Sequence, residues 1–226
     1  MIQLKALIYK EWIKLRWVFW FVMVGGLLIE LYLFIRVGRS FRIAGAGHIW
    51  DVVISRNQFL FADLKFWPLV AGGALSLMQF LPEVSMKRLK LTLHLPMKEN
   101  RIVMTMLGFG ILLLMGSFLL QVATLLLGIS QWFAAPFVWS AVSTLAPWYL
   151  CGLAAYLLIA FVCVEPSWIR RFVNALISIG LLGLFFISTT PGAYGCFSWI
   201  LILIPLVALL WVFISVFRFK IGVQDK

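Results

Sequence analysis

The sequence predicts an all-α membrane protein with six transmembrane helices and both termini in the cytoplasm. The first observation is composition: hydrophobic residues make up 64% of the chain, charged residues 12%, and the mean hydropathy is +1.06. Soluble domains usually carry about 25% charged residues, so a bilayer is the expected solvent. The second observation is a series of apolar runs of membrane-spanning length, and the third is the placement of lysine and arginine between them.

Six apolar runs approach the roughly 20 residues that a helix needs to cross about 30 Å of hydrocarbon. The second run is the shortest, and Pro68 and Pro82 stand near its ends. The chain is therefore predicted to be a single transmembrane domain, residues 1–226. The predicted spans are 17–35, 66–81, 102–128, 141–164, 172–189 and 198–217.

Lysine and arginine determine the predicted orientation, because short basic loops tend to remain cytoplasmic during insertion. With the N-terminus inside, only five of the 19 cations fall on the outer side, all in the first outer loop, residues 36–65. They are Arg36, Arg39, Arg42, Arg56 and Lys65. Within that loop, residues 49–64 carry apolar side chains at helical spacing, which predicts a helix along the outer surface.

Little of the chain lies outside the predicted spans, and this excludes a soluble catalytic domain. No phosphate-binding loop of the form G-x-x-x-x-G-K-[ST] occurs, and the glycine pairs at 25–26 and 72–73 instead predict close helix packing. His48 and His94 fall on opposite sides in this topology, without neighbours at metal-ligand spacing. We predict no catalytic, cofactor-binding or metal-binding residue, and no nucleic-acid partner, because no polar segment is long enough to build a basic stacking surface.

Four polar residues inside the predicted spans are candidates for a translocation path. Gln79, Gln121 and Asn174 either face such a path or hydrogen-bond neighbouring helices, and both interpretations stay open. Glu30 is the one acid inside a predicted span, where an unpaired charge is costly. Because Glu30 lies near the outer end of the first span, we favour a carboxylate that snorkels to the headgroups, with a place in the path as the alternative.

A polar segment, residues 82–101 (PEVSMKRLKLTLHLPMKENR), separates the second and third spans on the predicted cytoplasmic side. Polar and apolar residues alternate from Arg88 to Leu95, which by itself favours a strand. A single strand at a membrane surface has no partner for its hydrogen bonds, so we predict a helix. The alternative is a solvated basic loop that lies on anionic lipid.

The amino-terminal segment has amphipathic character. On a helical projection Leu4, Ile8, Trp12 and Leu15 cluster on one face, as in a helix that lies at the membrane interface. Trp12 and Trp17 also suit the aromatic belt at a membrane surface.

These features resemble the ABC-2 type permeases, the membrane subunits of many bacterial ATP-driven exporters. The K-E-W-I-K-L-R segment looks like the interfacial elbow before the first span of such permeases. The order of an acid, basic and leucine-rich residues, Leu-Pro and a polar pair in residues 82–101 resembles the family's stretch between helices two and three. The layout of six spans with both ends inside is also similar. The elbow residues are Lys10, Trp12, Lys14 and Arg16.

The resemblance implies that residues 83–96 form a coupling helix that docks into a separate ATP-binding subunit. ATP and Mg²⁺ would be bound by that partner, so this chain would hold no cofactor and would not itself be an enzyme. Six spans would form half of a translocation path, facing a second permease copy or paralogue in a bacterial inner membrane. The residues implied in coupling are Glu83, Lys87, Arg88, Leu89, Leu91, Leu93, Leu95 and Pro96.

Two other classes stay open. A non-transporting scaffold or assembly subunit would share the composition without any need to transmit force through residues 83–96. An ion-coupled secondary transporter usually shows charged or broken half-helices at the midplane, and here Pro147 and Pro205 have no acid near them in the sequence. The basic first outer loop and the short outer turn at 190–197 both depart from the usual family pattern.

Overall fold

The structure, a computed structural model, describes residues 2–54, 61–85, 92, 99–133, 135–188, 190, 192–195 and 197–221. Across these residues the chain is helical, with two short 3-10 turns at Ala62–Leu64 and Leu184–Phe186 and no strand. The helices are α1 (Ile2–Ile54), α2 (Trp67–Ser85), α3 (Glu99–Ile129), α4 (Ala135–Val164), α5 (Trp168–Gly183) and α6 (Ser198–Ile221).

Six helical stretches among the described residues are long and apolar enough to cross a membrane, which confirms the predicted all-α membrane class. Prolines interrupt neither α4 nor α6, although Pro147 and Pro205 lie inside them. Membrane helices tolerate proline where neighbouring groups satisfy the freed backbone carbonyl. The stretches are Leu4–Ile43, Ala62–Ser85, Glu99–Ile129, Phe137–Val164, Trp168–Phe186 and Ser198–Lys220.

The first helix is longer than the predicted span of 17–35, and part of the predicted outer loop is helical. α1 continues to Ile54, with a kink at Gly45 (φ 76°, ψ 160°), a left-handed conformation that suits glycine. Tertiary packing supports this extension, because Phe41 contacts Phe133 with ring centroids 5.6 Å apart. The predicted surface helix at 49–64 overlaps two described elements, the end of α1 and the short 3-10 turn at Ala62–Leu64. Residues 55–60 lie outside the described part.

The centre of the molecule is α4, which packs against α2, α3, α5 and α6. Its contact with α2 is close because glycines face each other there: a Cβ added to Gly72 would stand 2.0 Å from the carbonyl oxygen of Gly152. A Cβ added to Gly25 would likewise meet the ring of Trp67 at 2.4 Å. The prediction that these glycines serve close helix packing is confirmed.

The outer helices carry large apolar side chains on their free faces. On α5, Trp168, Ile169 and Phe172 are each more than two-thirds exposed, and α1 and α6 show similar exposed rows. In water such a surface would be an aggregation hazard, whereas lipid tails solvate it. The buried polar side chains therefore lie on the inner faces of the helices.

Candidate functional site

The predicted coupling segment begins at a buried ion pair. Glu83 lies in the last turn of α2, is 2% exposed, and accepts contacts from the ammonium groups of Lys10 and Lys14, both at 2.9 Å. Lys10 also donates a hydrogen bond of 3.1 Å to the hydroxyl of Thr92, which is buried as well. The remaining predicted coupling residues lie outside the described part of the chain, so the coupling helix stays a prediction. They are Lys87, Arg88, Leu89, Leu91, Leu93, Leu95 and Pro96.

A second carboxylate lies behind Glu83. Glu11 is fully buried, and its Oε1 is 3.0 Å from the ammonium group of Lys14 on the next turn of α1. Its other oxygen, Oε2, accepts a 2.9 Å hydrogen bond from the side-chain amide of Gln79 on α2. The two carboxylates and the two lysines balance in charge, as a buried ionic group requires.

Gln79 connects this ionic group to the other two helices. Its Nε2 also donates to the backbone carbonyl of Met106 on α3 at 2.8 Å, and its Oε1 accepts from the hydroxyl of Tyr156 on α4 at 2.7 Å. Four helices are thus joined through one amide. We call this group the Glu11 cluster, and its members are Lys10, Glu11, Lys14, Gln79, Glu83 and Tyr156.

The predicted elbow residues have different roles within the continuous helix α1. The buried line of the helix runs through Leu7, Glu11 and Leu15, so the buried face is rotated by about one residue from the predicted apolar face. Lys10 and Lys14 turn toward Glu83, as described above. Trp12 is half-buried against Phe19, and Arg16 is exposed over the ring of Trp17. The described helix shows no break between this segment and the first span.

Glu30 is buried between helices and does not turn outward, which contradicts the snorkelling prediction. The side chain is 2% exposed and turns toward α3, where its Oε2 lies within hydrogen-bonding distance of the hydroxyl of Thr124. The physical reason is the rotation of α1, which aligns Glu30 with the buried residues Leu33 and Val37 and presents Leu31 to the lipid instead.

Gln121 occupies the same region as Glu30. It is fully buried on α3, and its Nε2 donates a 3.1 Å hydrogen bond to the backbone carbonyl of Val22 on α1. Gly26 makes this approach possible, since a Cβ there would lie 2.1 Å from Gln121 Nε2 and 2.8 Å from the indole nitrogen of Trp67. Both predicted glutamines thus hydrogen-bond neighbouring helices.

Around Glu30, several buried polar atoms have no hydrogen-bond partner among the described residues. They include two acceptors and two donors, contributed by all of the helices α1 to α4. We call the group formed by Glu30, Trp67, Gln121, Thr124 and Tyr149 the Glu30 cluster. The atoms without a partner are Glu30 Oε1, Gln121 Oε1, Trp67 Nε1 and the hydroxyl of Tyr149.

Asn174, the fourth predicted path residue, belongs to neither cluster. It lies half-buried on α5, which packs chiefly against α4, and its backbone carbonyl accepts a 2.7 Å hydrogen bond from Ser178. The structure therefore brings Glu30 and Gln121 together and places Gln79 in the other cluster.

A fourth buried acid, in addition to Glu11, Glu30 and Glu83, was missed by sequence reasoning. Glu165, at the corner between α4 and α5, is fully buried, pairs with Arg218 of α6 at 3.0 Å and accepts a 2.8 Å hydrogen bond from Ser215. Arg171 donates to its backbone carbonyl at 2.8 Å. The available signal was an acid directly after an apolar span and directly before Pro166, with cations close behind it.

The Glu11 cluster suits charge pairing and helix anchoring, and the Glu30 cluster offers polar groups without an ion pair among the described residues. Neither contains histidine or cysteine, and the described residues hold no group of three or more His, Cys, Asp or Glu side chains able to bind a metal ion. Comparison of the chain with protein-family models, with curated proteins and with solved structures finds no match.

Proposed function

We propose that this chain is the membrane subunit of an ATP-driven exporter and works with a separate ATP-binding subunit. The proposal combines the resemblance in residues 10–16 and 82–101 with the six membrane-length helices. The observation that carries it is the Glu11 cluster, which lies where the proposed coupling segment leaves α2.

A coupling segment works only if a push on it reaches the spans. Glu83, its first residue, is held by Lys10 and Lys14, and Thr92 in its middle is held by Lys10. Through Gln79 the same group extends to α3 and α4. Movement of the segment would therefore displace four helices together, because packed helices move as rigid elements.

The remaining parts of the proposal concern partners. ATP and Mg²⁺ bind to the partner subunit, whose closure on ATP supplies the work. A second copy or paralogue of this chain completes the translocation path, in the inner membrane of a bacterium. If the path between the two copies is apolar, it favours a lipid-like or amphipathic cargo over a strongly charged one.

The test is purification of the tagged chain from native membranes, followed by mass spectrometry and an ATPase assay. We expect a co-purifying subunit with a phosphate-binding loop. The variants Leu91→Asp and Leu95→Asp should recover about tenfold less of this subunit, because a charge introduced into an apolar contact costs on the order of 1.4 kcal/mol or more.

The matched control is Ala6→Asp, which introduces the same charge at an exposed position of α1 on the same predicted side of the membrane. It should recover as much ATPase as the wild-type chain. Undiminished ATPase recovery with both leucine variants would refute the coupling assignment. Transport by the purified chain alone, without nucleotide, would refute the exporter proposal as a whole.

A further inference from the structure

The Glu30 carboxyl group has no positive partner in the part of the chain that the structure describes. Among the described residues, the ion pairs join Glu11, Glu83, Asp63, Glu99 and Glu165 to lysine or arginine, and none includes Glu30. Its side chain is nonetheless almost fully buried. An ionised carboxylate buried without a cation is strongly disfavoured, and such a group usually becomes neutral instead.

Exposed apolar side chains lie on both sides of Glu30 along α1. Leu28, Leu31 and Ile35, which precede and follow it, are each more than half exposed on the outside of the bundle, where lipid solvates them. The nearest cation further along the helix is Arg36, which pairs with Asp63 beyond the apolar run. Glu30 therefore lies within the apolar belt of the molecule.

Every helix packed around Glu30 contributes a polar but uncharged group. From α3 come Thr124 and Gln121, from α2 comes the indole of Trp67 beside Gly26, and from α4 comes the titratable Tyr149. No lysine, arginine or histidine is contributed by the described parts of these helices to the cluster. The surroundings thus offer hydrogen bonds without charge compensation.

The hydrogen bonds of Thr124 fit a neutral acid. Its single hydroxyl hydrogen has three acceptors in reach: Glu30 Oε2, the carbonyl of Leu120 at 3.1 Å and the carbonyl of Gln121 at 2.9 Å. If Glu30 carries a proton on Oε2, the acid donates to the Thr124 oxygen, and the threonine hydrogen goes to a helix carbonyl. The unpartnered Oε1 is then a carbonyl oxygen rather than half of a buried anion.

We propose that Glu30 is a proton-binding site inside the membrane domain, which holds one proton between its carboxyl group and the hydroxyl of Thr124. The proton comes from water and converts the carboxylate to a carboxylic acid, so no other reactant is needed. This inference goes beyond the proposed export function and does not depend on an ATP-binding partner.

Infrared difference spectroscopy on the purified chain in lipid vesicles tests the proposal directly. At neutral pH we expect the carbonyl band of a protonated carboxylic acid, lost in Glu30→Gln and retained in the matched variant Glu11→Gln, whose carboxylate is ion-paired in the wild type. Thr124→Val should keep the band but shift its position, because the acid loses its hydrogen-bond partner.

Three results would overturn the proposal. They are the absence of the band at neutral pH in the wild-type chain, an unchanged band in Glu30→Gln, and loss of the band on addition of Na⁺, K⁺ or Mg²⁺ at constant pH, which would show a bound cation in place of the proton. If Glu30→Gln does not fold, the Thr124→Val shift decides: a displaced band supports the site, and an unchanged band refutes it. Loss of ATPase binding has no bearing on these spectra, so the two proposals fail separately.

Discussion

Two polar clusters at different levels of the same four helices balance charge in different ways. Glu11 and Glu30 are separated by about 28 Å along α1 at 1.5 Å per residue. The Glu11 cluster pairs each buried carboxylate with a lysine. The Glu30 cluster has hydroxyl, amide and indole groups but no cation among the described residues.

The comparison teaches that burial alone does not define the role of an acid. In the Glu11 cluster the charges are compensated, so the group can fix helices in place and hold the start of residues 83–96. In the Glu30 cluster we propose that a proton supplies the compensation, so that the charge of Glu30 depends on pH. One cluster is suited to anchoring and the other to ligand binding.

The largest expected effect on stability concerns the buried ion pairs of the Glu11 cluster. Lys14→Met removes the lysine shared by Glu11 and Glu83, which leaves Glu11 as a buried anion without its cation. We expect the free energy of unfolding to fall by about 3 kcal/mol, as for other buried pairs that lose one partner. The measurement is reversible unfolding in mixed detergent micelles.

Lys5→Met is the matched control for that variant. It makes the same change on the same helix, at an exposed position, and should alter the free energy of unfolding by about 0.5 kcal/mol or less. Equal losses for Lys5→Met and Lys14→Met would mean that the buried ion pairs contribute nothing specific to stability.

A second prediction tests the contact that lies between the clusters. Gly72 on α2 and Gly152 on α4 meet between Trp67 and Gln79 on one helix, and between Tyr149 and Tyr156 on the other. Gly72→Ala would place a methyl group 2.0 Å from the Gly152 carbonyl, so the helices must separate, at a cost of about 2 kcal/mol. Thermal unfolding in detergent measures this loss.

Gly116→Ala on α3 provides the comparison, because a Cβ there meets no heavy atom within 4 Å. This variant should be neutral or more stable by about 0.5 kcal/mol, since alanine restricts the unfolded chain more than glycine does. Destabilisation of the same size in both variants would show that the close α2–α4 contact has no special importance.

Much of the fold could be predicted because hydrocarbon imposes a length and a composition on every span. The extension of α1 beyond residue 35 could not be predicted. Residues 36–44 continue the helix, and Phe41 contacts Phe133, a residue that is distant in sequence. Helix length at a polar boundary is decided by tertiary packing, and a hydropathy pattern does not contain it.

The two polar clusters were predicted only in part, because the sequence does not show which helix packs against which face. Gln79 and Gln121 stood out as polar residues inside apolar runs, whereas Glu11 lies in the K-E-W-I-K-L-R segment, which we predicted to be an interfacial helix. Its burial depends on a rotation of α1 by about one residue, which brings Glu11 against Gln79 of a different helix. Periodicity identifies an amphipathic face, but the partner helix determines which polar residue belongs to it.

The smallest expected effect compares two tyrosines seven residues apart on α4, one in each cluster. The hydroxyl of Tyr156 donates a 2.7 Å hydrogen bond to Gln79, whereas that of Tyr149 has no partner among the described residues. Tyr156→Phe should lower the free energy of unfolding by about 1 kcal/mol, because Gln79 Oε1 is left buried without a donor. Tyr149→Phe should be neutral or slightly stabilising, since it removes a buried group that makes no hydrogen bond. Paired unfolding curves in the same detergent measure the difference in unfolding free energy. A larger loss of stability in Tyr149→Phe than in Tyr156→Phe would mean that the Tyr149 hydroxyl makes the stronger hydrogen bond, for instance to bound water.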